Sequence, residues 1–259
     1  MASPVDIHIH LTDEDYKALF PYIKTYLKTT RIILVSVAVD FETSVKSLKL
    51  AEEFQGKIVP FIGIHPQNAE AADLNRFWHL LDEAKGVAAG IGEIGLDRRL
   101  GSTDKVSEAQ FKAFRMQLEV AEKLGKPVSI HSRGTLTEIL GMLPSYSLKG
   151  VLLHWFAGDL QDLREANSRG YYASFGPALV YSKNKRQLVA SMSSEYILTE
   201  TDGPVHFGGC FGGRMALPSF LPSVLFTIAS ILKMPYDDTV TMVHRNSESY
   251  LGADLKLVS

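Results

Sequence analysis

The stretch EAQFKAFRMQLEVAEKLGKPVSIH, residues 108–131, contains the repeating unit of this chain, an amphipathic helix followed by a short apolar strand. Apolar residues recur at spacings of three and four between Glu108 and Leu124, which predicts a helix over that range. Val128–His131 follows as an apolar run, a pattern typical of a buried strand. The same alternation continues on both sides and extends to both ends of the sequence.

Eight apolar runs are candidate strands. They are Val5–His10, Arg31–Val39, Ile58–Ile64, Val87–Ile94, Val128–His131, Val151–His154, Tyr171–Phe175 and Tyr196–Glu200. Amphipathic helices are also predicted over Asp13–Lys28, Leu217–Lys233 and Asp237–Tyr250. Strand and helix alternating eight times favours a closed (β/α)8 TIM barrel, with a doubly wound open sheet as the alternative. Gly203–Ala216, which contains five glycines, is the one long stretch expected to be irregular.

The composition indicates one domain over residues 1–259. That length is ordinary for a single α/β barrel, and a hydrophobic content of 46% fills its core without a second domain. Charged residues make up 22%, which argues against disorder, and the formal net charge of −2 provides no general field for holding a polyanion. Any contact with nucleic acid must therefore come from metals and a few local cations.

The compartment is inferred from the single cysteine and the N-terminal residues. Cys210 has no partner for an internal disulfide, which fits a reducing environment, and we interpret it as an inert thiol in a glycine-rich loop. Met1–Asp6 lacks a basic region followed by an apolar stretch, and no run of about 18 apolar residues occurs later in the chain. We therefore expect a soluble cytoplasmic protein that does not contact a membrane.

Polar side chains collect where the predicted strands end, which in a parallel barrel is the face that carries the active site. His8 and His10 end the first strand, Glu93 ends the fourth, and His65 and Asp202 follow the third and the eighth. The fifth and sixth strands likewise end in a histidine. These two residues are His131 and His154. His79 and His244 fall in helices, and His206 is interpreted as a loop histidine with no role.

Each of these residues has an ordinary explanation when it is taken singly. His8 and His10 point to one face of a strand and suit a metal, but an isolated pair of this kind more often lies on the surface. Glu93 lies in an apolar, glycine-rich run, where a buried carboxylate needs either a cation or pairing with Arg98 or Arg99. Asp202 could form an Asx turn. The ordered set favours a metal site.

Six segments resemble the TatD family of metal-dependent deoxyribonucleases, in chain order and across nearly the whole chain. They are Asp6-Ile7-His8-Ile9-His10, Gly63-Ile64-His65-Pro66, Gly92-Glu93-Ile94-Gly95-Leu96-Asp97, His131-Ser132-Arg133, His154-Trp155-Phe156-Ala157-Gly158 and Glu200-Thr201-Asp202-Gly203-Pro204. The resemblance implies a barrel of the amidohydrolase type that hydrolyses phosphodiester bonds, commonly as a 3′→5′ exonuclease on DNA. DNA or an oligonucleotide is therefore the expected substrate.

The resemblance also implies a role for each site residue. One divalent ion would be held by His8, His10 and Asp202 and a second by the histidines at positions 131 and 154, with Glu93 as the bridge. His65 would lie near the scissile phosphate. Asp202, beside the attacking water, is the natural proton acceptor. Four imidazoles favour zinc or manganese over magnesium in the resting site, although added magnesium could support turnover.

The substrate pocket departs from the family pattern more than the metal ligands do. Arg98 and Arg99 follow the fourth strand, Trp155 replaces a small residue, and Arg214 is not followed by the polar pair common in the family. With Arg133, these arginines are candidates for gripping phosphates, while Trp155 is either a base-stacking residue or part of the core.

Two other functions stay open for a chain with these departures. The same metals could cleave an ester or amide, for example an aminoacyl ester on tRNA. The protein could also bind a metal and a ligand without turnover.

Overall fold

The computed structural model describes residues 2–100 and 105–255, and an eight-stranded parallel sheet forms its centre. The strands are β1 Val5–Ile9, β2 Ile33–Val37, β3 Ile58–Ile62, β4 Gly90–Asp97, β5 Val128–Arg133, β6 Val151–Leu153, β7 Tyr172–Phe175 and β8 Ile197–Thr199. The α-helices are α1 Phe20–Thr29, α2 Phe41–Glu53, α3 Leu74–Glu83, α4 Glu108–Leu124, α5 Leu136–Met142, α6 Leu160–Ser168, α7 Lys183–Ser191, α8 Leu221–Leu232 and α9 Tyr236–Leu251.

The strands lie side by side in sequence order from β1 to β8, and each neighbouring pair is parallel. Backbone hydrogen bonds then join the segment after β8 to the end of β1, from Asp202 N to His8 O at 3.0 Å and from His10 N to Gly203 O at 2.8 Å. Sequential order with this closure is the (β/α)8 barrel, so the predicted fold is confirmed and the open-sheet alternative is wrong.

The fourth strand is shifted along the chain from its predicted position. The structure has β4 over Gly90–Asp97 rather than Val87–Ile94, so Glu93 lies inside the strand instead of at its end. Pairing between β4 and β5 shifts register between Ile91 and Ile94, and such irregularities re-aim side chains next to active sites. His131 likewise lies within β5 rather than at its end. The other strand predictions agree to within about two residues at each end.

The helix prediction over Glu108–Leu124 is confirmed residue for residue, with Ser107 as the N-cap. The predicted helix over Asp13–Lys28 is instead a short 3-10 turn followed by α1, because Pro21 lies in the first turn of α1 and cannot continue a preceding helix. For the same reason Pro218–Phe220 forms a separate 3-10 turn before α8.

The glycine-rich segment 203–216, expected to be irregular, contains a small antiparallel ribbon. Its strands are β9 His206–Phe207 and β10 Arg214–Met215. The hydroxyl of Tyr16, which is fully buried, donates to Ala216 O at 2.5 Å and anchors the end of the ribbon beside β1. The segment is therefore ordered, although its glycine-rich sequence lacks the alternation of apolar and polar residues that predicts strands.

Apolar side chains from opposite sides of the barrel meet in one buried cluster, which shows that the lumen is filled. Ile7 of β1, Phe61 of β3, Leu152 of β6 and Leu198 of β8 belong to this cluster. Tyr250 of α9 joins it and donates its hydroxyl to Val128 O at 2.9 Å. A packed lumen of this kind holds the strands rigidly and so fixes the positions of residues at their ends.

In the part of the chain that the structure describes, no single helix is both long enough and apolar enough to cross a bilayer. Pro218–Leu232 and Tyr236–Leu251 reach that length and apolar character only together, and they are bent by 105° at their junction.

Gly95 in β4 is expected to be irreplaceable, because its φ is +144° and a Cβ there would lie 2.0 Å from His131 O. We predict that Gly95→Ala lowers the free energy of unfolding by about 2 kcal/mol or more, measured by urea denaturation. Gly86→Ala is the control, since a Cβ at Gly86 meets nothing within 4 Å and should change stability by less than about 1 kcal/mol. Equal stabilities of the two variants would show that β4 can move away from β5.

Candidate metal centre

A cleft of about 520 Å³ opens where the barrel strands end. Six residues predicted for the site line it, namely His10, His65, Glu93, His131, His154 and Asp202, together with the predicted phosphate contact Arg133. His8 is fully buried beneath them. The structure therefore brings the six predicted ligand residues together from β1, β4, β5, β6 and the segment after β8, and His65 joins them from the end of β3.

The first group of donor atoms is formed by His8, His10, Glu93 and Asp202. His8 Nε2 and His10 Nε2 lie 3.4 Å apart, and Glu93 Oε2 is 3.5 Å and 3.3 Å from them respectively. Asp202 Oδ1 is 3.7 Å from His8 Nε2 and 3.4 Å from His10 Nε2. Ligands about 2.0–2.2 Å from a tetrahedral ion stand about 3.3–3.6 Å apart, so these separations fit one ion.

Hydrogen bonds on the far side of the first two imidazoles orient their free nitrogens. His10 Nδ1 donates to Val37 O at 2.9 Å, which leaves the lone pair of a neutral His10 on Nε2. His8 Nδ1 contacts Ser129 Oγ at 2.9 Å. Two imidazole lone pairs and two carboxylate oxygens thus converge on one point. These four atoms all carry lone pairs and do not attract one another, so they fit a cation at that point.

The second group surrounds the other oxygen of the same carboxylate. Glu93 Oε1 lies 2.8 Å from His131 Nδ1, 2.7 Å from His154 Nε2 and 3.5 Å from His65 Nε2. Glu93 itself is 2% exposed, so water cannot compensate its charge. One carboxylate therefore faces two groups of imidazole nitrogens, one with each oxygen, and its two shortest contacts in the second group are at hydrogen-bond distance.

Two further carboxylates lie behind the histidines of the second group, and one of them accepts a hydrogen bond from its histidine. Asp97 Oδ2 accepts from His131 Nε2 at 2.9 Å, which turns Nδ1 of that ring toward Glu93. Glu200 Oε2 faces His154 Nδ1 at 3.7 Å and accepts from the Ser174 hydroxyl at 2.6 Å. Carboxylates behind metal-binding histidines fix the ring orientation and raise its basicity. Asp97 had no predicted role, although it lies an even number of residues from Glu93 on one strand, which places two side chains on the same face.

Burial and mutual repulsion shape the titration of the cluster. Burial lowers the pKa of His8 to about 4, and repulsion from His154 acts in the same direction. Burial alone would raise the pKa of Glu93, but the neighbouring imidazoles lower it well below its ordinary value. Conversely, the carboxylates outweigh the effect of burial at His10 and raise its pKa to about 9. The site therefore keeps Glu93 ionised and demands positive charge beside it, from protons or from metal ions.

Asp202 owes its position to the seam between β8 and β1. Thr201 donates to the buried Asp6 carboxyl through both its backbone N, at 2.9 Å, and its hydroxyl, at 2.5 Å. Asp202 follows at φ +49°, in the left-handed region, and a Cβ on Gly203 would lie 1.7 Å from the Tyr16 hydroxyl. This packing turns the Asp202 side chain toward His8 and His10. The Asp202 carboxylate joins their group as a result.

The four arginines proposed as phosphate contacts occupy different surroundings. Arg133, at the end of β5, lines the cleft. Arg98 pairs with Glu138 and donates through Nε to Gly134 O at 2.8 Å. Arg99 contacts Asp97 through its backbone N, and Arg214 lies on β10 with an exposed side chain. Arg98, Arg99 and Arg214 are not among the cleft-lining residues of the described chain.

A family model of TatD-related DNases matches residues 5–252. The chain belongs to the TatD-related DNase family. It is 29% identical to deoxyribonuclease TATDN3 of Homo sapiens over 212 residues, which is 77% of each protein, and 26% identical to the metal-dependent hydrolase YabD of Bacillus subtilis over 94% of this chain and 96% of that protein. The TatD homologue YJJV of Escherichia coli shares the fold, with a TM-score of 0.87 and 23% identity over 96% and 98% of the two chains.

These relatives confirm two predictions made from the sequence alone. The resemblance to the TatD family is correct, and so is the assignment of the chain to metal-dependent hydrolases. Clusters of His, Asp and Glu at the cleft support the use of a divalent metal by this chain.

A divalent ion should stabilise the folded chain, because the donor atoms converge only in the native state. At a free concentration about 100 times its dissociation constant, Mn2+ should add about 2.7 kcal/mol to the free energy of unfolding of chelator-treated protein, which raises Tm by about 5–10 °C. His10→Ala should lose most of this shift. His79→Ala, at an exposed position on α3, should retain it. An equal shift in both variants would show that manganese binds elsewhere.

Proposed function

We propose that this protein hydrolyses phosphodiester bonds in DNA or oligonucleotides with two divalent ions bound at the cleft. One observation carries the proposal. The two oxygens of Glu93 face two separate groups of imidazole nitrogens, one containing His8 and His10 and the other containing His131 and His154. Residues 1–259 are proposed to form a single barrel domain that acts in the cytoplasm.

The residues divide between the two ions as follows. His8, His10 and Asp202 would hold the first, His131 and His154 the second, and Glu93 both. When bound, two such ions supply positive charge for the attacking and leaving oxygens of a displacement at phosphorus and make water more acidic. Four imidazoles favour zinc or manganese as the resident metal, whereas added magnesium could still support turnover.

His65 differs from the other cleft histidines in its hydrogen bonding. Its Nδ1 accepts from Gln67 N at 3.1 Å, and burial lowers its pKa to about 4, so the ring is neutral at pH 7. A neutral imidazole that accepts through Nδ1 carries its proton on Nε2. That N–H group lies beside the Glu93 bridge and lacks the lone pair a metal ligand needs. We therefore assign His65 to donate a hydrogen bond to a phosphate oxygen.

Asp202 and Arg133 complete the proposed machinery. Asp202 reaches the cleft with only 5% of its surface exposed, and one of its oxygens is left to accept the proton of the attacking water. Arg133 has no hydrogen bond or ion pair from its guanidinium to the described residues and lines the cleft, so its donors are available to phosphate oxygens. Arg98 and Arg214, which do not line the cleft, remain predicted phosphate contacts.

Digestion of end-labelled DNA tests the proposal directly. The purified chain should release mononucleotides, lose this activity on treatment with a chelator, and regain it with Mn2+ or Zn2+. Cleavage of an aminoacyl ester on tRNA with no release of nucleotides would show that the protein is an esterase and not a phosphodiesterase. Binding of metal and DNA with neither activity would support a binding protein.

Glu93→Gln should abolish most cleavage while the barrel survives, because it keeps the volume of the bridging side chain and removes its charge. The two ions would then repel without a shared anion between them. We expect metal loss from one or both sites and cleavage reduced by at least about 100-fold, as judged by elemental analysis and rate on one sample. Glu83→Gln, on an exposed part of α3, is the matched control. Two retained ions with near-normal cleavage would make Glu93 a structural acid.

Arg133→Ala should weaken substrate binding without loss of metal, because a guanidinium cannot ligate a cation. A charge-assisted hydrogen bond contributes about 1.5–3 kcal/mol, so the KM for DNA should rise by about 10- to 100-fold. The same measurement on Arg98→Ala and Arg214→Ala tests the two arginines outside the cleft. Arg164→Ala, at an exposed position on α6, is the control. Unchanged constants for Arg133→Ala would remove it from the phosphate site.

A further inference from the structure

Trp155 follows directly after the cleft histidine His154 and lines the same cleft. Its ring stacks on Phe207 of β9, with 5.2 Å between the ring centroids and 22° between the ring planes. Phe207 is 2% exposed, whereas Trp155 stays partly exposed. One face of the indole is therefore covered by a buried aromatic ring while other atoms of Trp155 face the cleft.

The backbone holds Trp155 in a conformation that packing alone does not require. Its φ is +42°, in the left-handed region that residues with a side chain rarely adopt. The Glu200 carboxylate accepts from Trp155 N at 2.9 Å and, through its other oxygen, from the Ser174 hydroxyl. Because Glu200 also faces His154 Nδ1, the indole is fixed relative to the metal-binding histidine. A strained and anchored residue at a site entrance indicates function.

Phe207 is anchored as firmly as the indole it supports. Gly213 N donates to Phe207 O at 2.9 Å, and Ala216 N donates to Val205 O at 2.8 Å. Tyr16 holds the far end of the same ribbon through Ala216 O. The ribbon that carries Phe207 is thus closed by its own backbone hydrogen bonds and joined by Tyr16 to the segment after β1, which holds the aromatic pair in place.

The cleft is lined by both apolar and polar side chains. Trp155, Ala157 and Val205 are apolar, whereas Ser132 and Arg133 offer a hydroxyl and a guanidinium. A nucleotide combines an aromatic base with an anionic phosphate and can use both kinds of side chain. A rigid aromatic ring with an open face binds bases of any sequence, because every base presents a π face.

We propose that Trp155, backed by Phe207, is the stacking platform for the base of the terminal nucleotide, and so determines that this cleft takes nucleotides rather than simple phosphodiesters. The inference rests on the proposed function. It assigns to the indole a contact with the base and leaves the phosphate to Arg133 and His65.

The first test compares single-stranded oligonucleotides whose terminal nucleotides either carry thymine or are abasic. Removal of a stacking ring weakens base binding by about 5- to 100-fold, so Trp155→Ala should raise the KM for the thymine substrate by that factor and leave the KM for the abasic substrate unchanged. Trp155→Phe should restore most of the difference. Phe226→Ala, at a side chain 66% exposed on α8, is the control.

A merely structural role would give a different pattern. If Trp155→Ala lost the same factor on both substrates, or lost bound metal, the indole would be a packing residue and the proposal would be wrong. Absence of chelator-sensitive cleavage in the unaltered protein would instead contradict the proposed function. Stacking on Trp155 can still be tested then, because nucleotide binding is measurable without cleavage.

The second test uses fluorescence, because the chain has two tryptophans and Trp78→Phe leaves Trp155 as the only indole. Titration of this metal-loaded variant with thymidine monophosphate should quench its fluorescence. Deoxyribose phosphate, which has no base, should bind without quenching. Binding of thymidine monophosphate, measured by calorimetry, with no change in fluorescence would overturn the stacking proposal.

Discussion

A buried carboxylate cannot remain charged in this barrel unless cations surround it, and Glu93 imposes that constraint on everything near it. Its side chain is 3% exposed, and its described charged partners are imidazoles, at distances of 2.7–3.5 Å. A neutral imidazole can donate a hydrogen bond to a carboxylate, but the charge of the carboxylate is compensated only when imidazoles are protonated or share a metal with it. Protonating several of them at once costs repulsion among rings stacked as closely as His8 and His154, whose centroids are 3.9 Å apart. A bound divalent metal would resolve the conflict.

The backbone near Glu93 departs from regular strand geometry to meet this constraint. The register shift in β4 accompanies the turn of Glu93 into the cluster, and Glu93 N donates to Ala38 O, just after β2, at 2.7 Å. Gly95 then lets β4 approach β5 closely enough for His131 to reach between Glu93 and Asp97. Irregular strands are tolerated here because the filled lumen holds the rest of the barrel in place.

The fold and the residues of the cluster were predictable from sequence for the same physical reason. Strand residues such as His8 and His10 are placed by a two-residue period, and the barrel brings the ends of all strands to one face. Their gathering at the cleft follows from that rule alone. Which carboxylate supports which histidine did not follow, because the contact between Asp97 and His131 depends on the local shift of β4 against β5. Pattern reasoning also missed the ribbon after β8, where two strands of two residues show no periodicity.

The proposed substrate contacts are harder to predict than the proposed metal ligands because their long side chains take their positions from neighbouring loops. Arg98 and Arg133 are both arginines at the ends of neighbouring strands, and sequence reasoning gave them the same role. The structure separates them, since Glu138 and Gly134 hold Arg98 while Arg133 lines the cleft. A side chain several bonds long takes its position from loop partners that no strand period encodes. Trp155 differs from these arginines, because Glu200 fixes its backbone directly beside a barrel strand. This short tether to the strand end fixes the position of Trp155 at the cleft, which is why it is the substrate contact that we propose beyond the arginines.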